Sequence, residues 1–156
     1  MSGRRNIWGA SGRSGLGMLG AAILLGGLAA AAFGQGADFV PLPAGVSVKI
    51  LEPKDGATVK SPFKVVFQVT GATIKPAGPP EAGTGHHHLI IDQPLVAAGQ
   101  VTTADATHIH YGKGQTEAVI ELGSGEHTLT LQFADGLHRS YGPQGAHTIK
   151  VRVLGY

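Results

Sequence analysis

Histidine is the one residue type in this chain that is both concentrated and chemically versatile. Eight histidines occur in 156 residues, and none precedes His86. His86, His87 and His88 stand in a row and run into Leu89-Ile90-Ile91-Asp92. His108 and His110 follow, two residues apart, while His127, His138 and His147 stand singly. A neutral imidazole offers a lone pair to a divalent transition metal, so clustered imidazoles suit Zn²⁺, Cu²⁺ or Ni²⁺. The chain has no cysteine, which excludes thiolate metal sites, cysteine nucleophiles and disulfides. Both methionines, Met1 and Met18, lie at its start. Beyond that start, a blue-copper site and a thioether Cu(I) carrier are therefore excluded. An imidazole site remains, with Asp92 or Glu117 as a carboxylate ligand or an outer hydrogen-bond partner.

The positions of these rings depend on the strands that carry them. Side chains alternate between the two faces of a strand. If Leu89 and Ile91 face the core, His87 joins them, and His86 and His88 point outward with Ile90 and Asp92. If Ile109 and Tyr111 face the core, His108 and His110 point outward. Should the two strands be neighbours, His86, His88, His108 and His110 converge as metal ligands. His87 and His138 are the additional candidates, beside Asp92 and Glu117. A plainer reading competes: exposed histidines pair with Asp92, Glu117 or water. His87, His127 and His147 sit on apolar registers, where a neutral ring is usually hydrogen-bonded within the core. His138 then is an ordinary loop residue. Gly112-Lys113-Gly114-Gln115-Thr116 lacks phosphate-loop spacing and reads as a hairpin turn. Ser140 and His138 form no recognisable triad.

The surrounding pattern is all-β. Val46 to Ile50 alternates at period two, and Pro53-Lys54-Asp55-Gly56 is a turn. Thr58-Val59 is a possible short strand. Phe63, Val65, Phe67 and Val69 share one face of the clearest strand. Gly71 to Gly85 reads as a long loop with Pro76, Pro79 and Pro80, and no helix is expected there. Strands then follow over residues 86–92, 107–111, 116–122, 126–133 and 147–154. Gln93 to Thr107 and Ala134 to Gly145 connect them irregularly. These elements predict a single immunoglobulin-like antiparallel β-sandwich of about seven strands. A small barrel is the alternative. No internal repeat is present.

Residues 1–35 read as a signal peptide with its cleavage region. Arg4, Arg5 and Arg13 precede a Gly/Ala-rich apolar run from Leu16 to Phe33, and no acidic residue occurs before Asp38. Cleavage is expected between Ala32 and Ala37, and a retained membrane anchor is the alternative. Arg4-Arg5 loosely resembles a twin-arginine signal. The absence of cysteine excludes a lipid anchor. Residues 36–45 form an extended lead and residues 46–156 the domain. Three of the 12 Lys and Arg lie in the signal, whereas all 10 Asp and Glu follow it, so the mature chain carries a net charge of −1 with neutral histidines. The basic isoelectric point belongs to the signal, and nucleic-acid binding by a basic surface is not expected. The expected location is periplasmic or secreted, with membrane contact only through an uncleaved signal.

Four blocks carry a resemblance. They are Gly85-His86-His87-His88-Leu89-Ile90-Ile91-Asp92, His108 to Glu117, Gly125-Glu126-His127-Thr128-Leu129, and His138-Arg139-Ser140-Tyr141-Gly142-Pro143. In this order, with the Pro76-Ala77-Gly78 loop, they resemble the bacterial "domain of unknown function 4399" family across roughly residues 46 to 154. The resemblance implies an exported envelope domain and supplies no activity. Tyr111 stands where the family more often has Phe, and Gln144 to Ala146 is atypical. Two readings follow. The first is a periplasmic module that holds a divalent metal through outward histidines. The second is a structural or interaction module of the envelope, with an unknown protein or glycan partner at the Gly71 to Gly85 loop. An enzyme that activates water on a histidine-bound metal is a third, weaker reading.

Overall fold

A computed structural model describes residues 39–155. The expected signal, residues 1–35, lies outside the described residues. Nine strands are described: β1 Ser47–Glu52, β2 Ala57–Lys60, β3 Phe63–Thr70, β4 Thr73–Ile74, β5 Thr84–Ile91, β6 His108–Tyr111, β7 Glu117–Ile120, β8 Gly125–Ala134 and β9 Ala146–Leu154. They form two sheets. One has the order β1-β3-β7, and the other has the order β2-β9-β8-β5-β4, with β6 also paired to β5. The all-β sandwich is as expected. It has two more strands than the seven or so anticipated: β2 was only a possibility, and β4 lies inside the expected long loop. Both are short and pair in parallel, β2 with β9 and β4 with β5.

The core follows from alternation. Phe63, Val65 and Phe67 of β3 are buried, whereas Lys64 and Gln68 on the other face are exposed. They pack with Leu89 and Ile91 of β5, Leu129, Leu131 and Phe133 of β8, and Ile149, Val151 and Val153 of β9. Burying such side chains is worth roughly 1.5–3 kcal/mol each. The lead also contributes: Leu42 is buried in this core, and Phe39 packs 5.7 Å from the Tyr141 ring. Gly85 admits no side chain, because a Cβ there would lie 2.2 Å from the Ala134 carbonyl oxygen. That absence lets β5 approach β8 closely just before the histidines.

Alternation fails on the opposite face of the larger sheet. Every residue of β5 is buried, and β8 is buried on both faces from Leu129 to Ala134. The cause is a roof of irregular chain. Thr102 N donates to the His138 carbonyl at 2.8 Å, Ser140 N to that of Gln100 at 2.8 Å, and Gly99 N to that of Ser140 at 2.9 Å. The two connecting segments thus pair with each other above the sheet. Gln132 fastens them to it. Its Oε1 accepts from Val96 N at 3.0 Å, and its Nε2 donates to Val96 O at 2.7 Å. Nε2 also reaches Ser140 Oγ, which donates to Val96 O.

Gln132 is completely buried. Gln132→Met keeps its bulk but strands its partners, so stability should fall by about 1–3 kcal/mol. Urea denaturation would measure the loss, and limited proteolysis should show cleavage appearing between residues 96 and 104.

Candidate metal centre

The roofed face carries the histidines. On β5, His86 and His88 lie opposite in direction to Leu89 and Ile91. His88 stands directly across from His110 on β6 and from Gln132 on β8. His138 descends from the loop after β8. It has φ 64°, in the left-handed region that side-chain-bearing residues rarely adopt. Asp135 holds it there. Its Oδ1 accepts from Leu137 N and Arg139 N, both at 2.9 Å, and its Oδ2 pairs with Arg139 Nε at 2.7 Å. The Asp135 carbonyl accepts from His138 N at 2.9 Å.

Four rings meet as a result. His86, His88, His110 and His138 each offer a nitrogen, and these atoms lie within 4.8 Å of one another. His86 Nε2 is 3.1 Å from His88 Nε2 and 3.2 Å from His138 Nδ1. An ion with bonds of 2.0–2.1 Å in tetrahedral geometry sets its nitrogens about 3.3 Å apart. Two contacts therefore already have the spacing of ligands around one ion. Gly112 shapes the fourth member, because a Cβ there would sit 2.2 Å from the His110 ring.

The rings sit in a costly environment. His86 and His88 are completely buried, and His110 and His138 are half-buried. His86 Nδ1, His88 Nδ1 and His110 Nε2 have no hydrogen-bond partner. Burial, with the facing rings of His110 and His138, pushes the His86 pKa down to about 4. Burial and then His86, His110 and His138 push that of His88 down to about 3. Burial, helped by His138, also lowers His110. At neutral pH His86, His88 and His110 are uncharged, and their lone pairs are available without proton loss.

The outcome differs from the sequence reading in several places. His86 and His88 are on the expected face, but that face is covered, so these histidines are not outward-facing. His108 does not join the group. The Asp105 carboxylate takes its ring, with Nδ1 3.1 Å from both oxygens, and Asp105 is itself set by Thr107 N at 2.7 Å. His138 completes the group instead. Asp92 is not near it: Oδ2 bonds His127 Nδ1 and Oδ1 accepts from Thr128 N, each at 2.7 Å. Glu117 pairs with Lys64 at the exposed surface, at 2.7 Å. His87 faces the core between Phe67 and Phe133, with ring centroids 5.5 and 5.2 Å away, and neither of its nitrogens has a partner. The hydrogen bond expected for such a core ring is absent there. His147 does have one, accepting from Ile50 N at 3.1 Å.

The parts that Asp135, Gln132 and Thr102 play here, and that of Gly112 beside the His110 ring, escaped the sequence reading. The Asp135-Gly136 pair beside His138 was a usable turn signal. Nothing local marks Gln132 or Thr102, whose roles arise only from the roof.

Burial also lowers His87 to about 4. For His86, His87 and His88 the folded pKa lies below the unfolded 6.5, so the unfolded chain takes up protons first. Their contribution to stability is full above pH 6.5 and is lost as pH falls toward 4. His127 acts in the opposite sense, because its bond to Asp92 raises its pKa. Three deeply buried rings outweigh one at the rim, so the melting temperature of the metal-free domain should fall between pH 7 and pH 4.5. His87→Leu should make that fall shallower, as thermal scans across pH would show.

The sequence profile of the "Domain of unknown function (DUF4399)" matches residues 65–154, from β3 to the end of β9, and includes all four clustered histidines. No curated protein and no solved structure matches the chain. A profile that covers more than half of the chain shows its family: this protein belongs to the DUF4399 family.

Proposed function

We propose that this protein is an exported domain of the bacterial envelope that binds a divalent transition metal through His86, His88, His110 and His138. The observation that carries the reading is the buried convergence of four imidazole nitrogens within 4.8 Å of one another. Rings that turn their nitrogens toward one another inside the protein, as His86 Nε2, His88 Nε2 and His138 Nδ1 do, are a poor way to stabilise a fold. Buried ring nitrogens gathered at one place call for another explanation. An ion supplies it, because it draws the four lone pairs to one point. The donor set is all imidazole, which suits Zn²⁺, Cu²⁺ and Ni²⁺, and Cu²⁺ should bind most tightly in vitro. When bound, the ion would supply Lewis acidity and positive charge. The chain supplies the rest: β5 and β6 align His86, His88 and His110, and Asp135 fixes the loop that brings His138. Export is supported by the basic and apolar start of the chain, Arg4 to Phe33.

Calorimetric titration with Zn²⁺ and Cu²⁺, with elemental analysis of the untagged protein, tests this directly. One ion per chain is expected. His110→Ala with His138→Ala removes two half-buried ligands and should weaken binding by more than roughly 100-fold, beyond what loss of an outer partner costs. His108→Ala should leave affinity unchanged. Gly112→Ala should weaken binding about tenfold by pushing the His110 ring aside. Wild-type protein that takes up no ion, or a double variant that binds as tightly, would sink the proposal and leave a structural envelope module.

A further inference from the structure

The six separations among the four clustered rings describe a shape. The centroids of His86 and His88, His86 and His110, His86 and His138, and His88 and His110 are each 5.0 Å apart. Those of His110 and His138 are 4.7 Å apart, and those of His88 and His138 are 5.8 Å apart. A square of ligands, the arrangement Cu²⁺ and Ni²⁺ favour, would set two pairs with no ring in common about 1.4 times farther apart than the other four. Here the pair that shares no ring with His88 and His138 is His86 and His110, and its 5.0 Å matches the short separations. The rings therefore stand at the corners of a slightly stretched tetrahedron. The frame resists flattening: β5 and β6 hold His88 opposite His110, and the Asp135 turn holds the loop of His138.

Charge narrows the choice further. Among the described residues the ligand group contains no carboxylate. Asp135 is felt electrostatically at His86, but its carboxylate is paired with the Arg139 guanidinium. Asp105 is taken by His108 and Thr107. Ligating histidines usually pass their second ring N–H to a carboxylate or carbonyl, which makes them better donors to a highly charged ion. His86 and His88 turn Nε2 to the centre, and Nδ1 of each is buried without a partner. A cavity of about 390 Å³ opens beside His88, His110 and His138, and the rest of its lining, Val101 to Ala104, brings no charged residue. The cost of taking an ion out of water into such a place rises with the square of its charge, so a divalent ion pays about four times what a monovalent one does.

We infer that the centre selects a tetrahedral ion of low charge, and that copper is held there as Cu⁺ in preference to Cu²⁺. The inference rests on the metal-binding reading and specifies its cargo. Cu⁺ has a filled d shell, as Zn²⁺ has, and takes tetrahedral imidazole ligation without a geometric penalty. Cu²⁺ keeps its place ahead of Zn²⁺ among divalent ions, and Cu⁺ lies outside that order. One electron separates the two copper states, and a small one-electron reductant such as ascorbate supplies it. His86, His88 and His110 are neutral before the ion arrives, so the electron is not accompanied by a proton on these rings.

The test is a pair of competition titrations on the full chain. Bathocuproine disulfonate competes for Cu⁺ in oxygen-free ascorbate, and nitrilotriacetate competes for Cu²⁺. Cu⁺ should bind roughly 100-fold or more tightly than Cu²⁺, which places the bound couple about 120 mV above aqueous copper at 59 mV per tenfold. Ala104→Glu, at an exposed position of the cavity wall, adds a carboxylate that favours the higher charge. It should lower the preference for Cu⁺ about tenfold. Equal affinities, or tighter binding of Cu²⁺ with the electron paramagnetic resonance spectrum of a square site, overturn the inference and leave the metal reading standing. A preference that Ala104→Glu leaves unmoved also overturns it, since charge then does not select the ion. A chain that binds neither Cu⁺, Cu²⁺ nor Zn²⁺ overturns the metal reading and this inference with it.

Discussion

The burial of a polar sheet face is the constraint from which the rest of this structure follows. A sandwich sheet ordinarily presents one face to the core and one to water. Here the second face of β5 and β8 is covered by two loops that hydrogen-bond to each other, with Gln132 as the fastening to the sheet. Without that cover, His86 and His88 would be solvated surface rings with ordinary pKa values. With it, they become neutral and close-packed, and His86 and His88 are fully out of water.

Such an arrangement runs against stability. Several ring nitrogens are stranded, and burial holds His86 and His88 in the uncharged form. His138 adds backbone strain, since it occupies a conformation that costs of order 1–3 kcal/mol for a side-chain-bearing residue. Asp135 offsets it with bonds to Leu137 N, Arg139 N and the Arg139 guanidinium. Local strain and unpaired groups concentrated at one spot, while the opposite face is an ordinary apolar core, are how functional sites differ from scaffolds. The two faces of one strand thus differ: Leu89 and Ile91 hold the sandwich, and His86 and His88 build the histidine cluster.

His87 shows the limit of this division. It falls on the core side, as alternation demands, yet it brings a ring with two unpaired nitrogens between Phe67 and Phe133. It takes no part in the cluster, and nothing in its surroundings explains why an apolar residue does not stand there.

The sequence by itself determined a great deal. Alternation placed β1, β3, β5, β6, β8 and β9, and it sorted His86, His88 and His110 onto one face and His87 onto the other, because the period of a strand is set by backbone geometry alone. The absence of cysteine excluded thiolate donors, and the four blocks pointed to the family. What the tertiary structure decided was whether that face meets water, and which fourth ring joins it. His108 and His138 were both available, and their positions depend on contacts far apart in sequence. The Asp105 carboxylate draws the His108 ring to itself. The Asp135 turn and its ladder to Thr102 carry His138 over β5. Side-chain period is local and can be read along the chain; the cover over a sheet is built by loops without period, and only their packing reveals it.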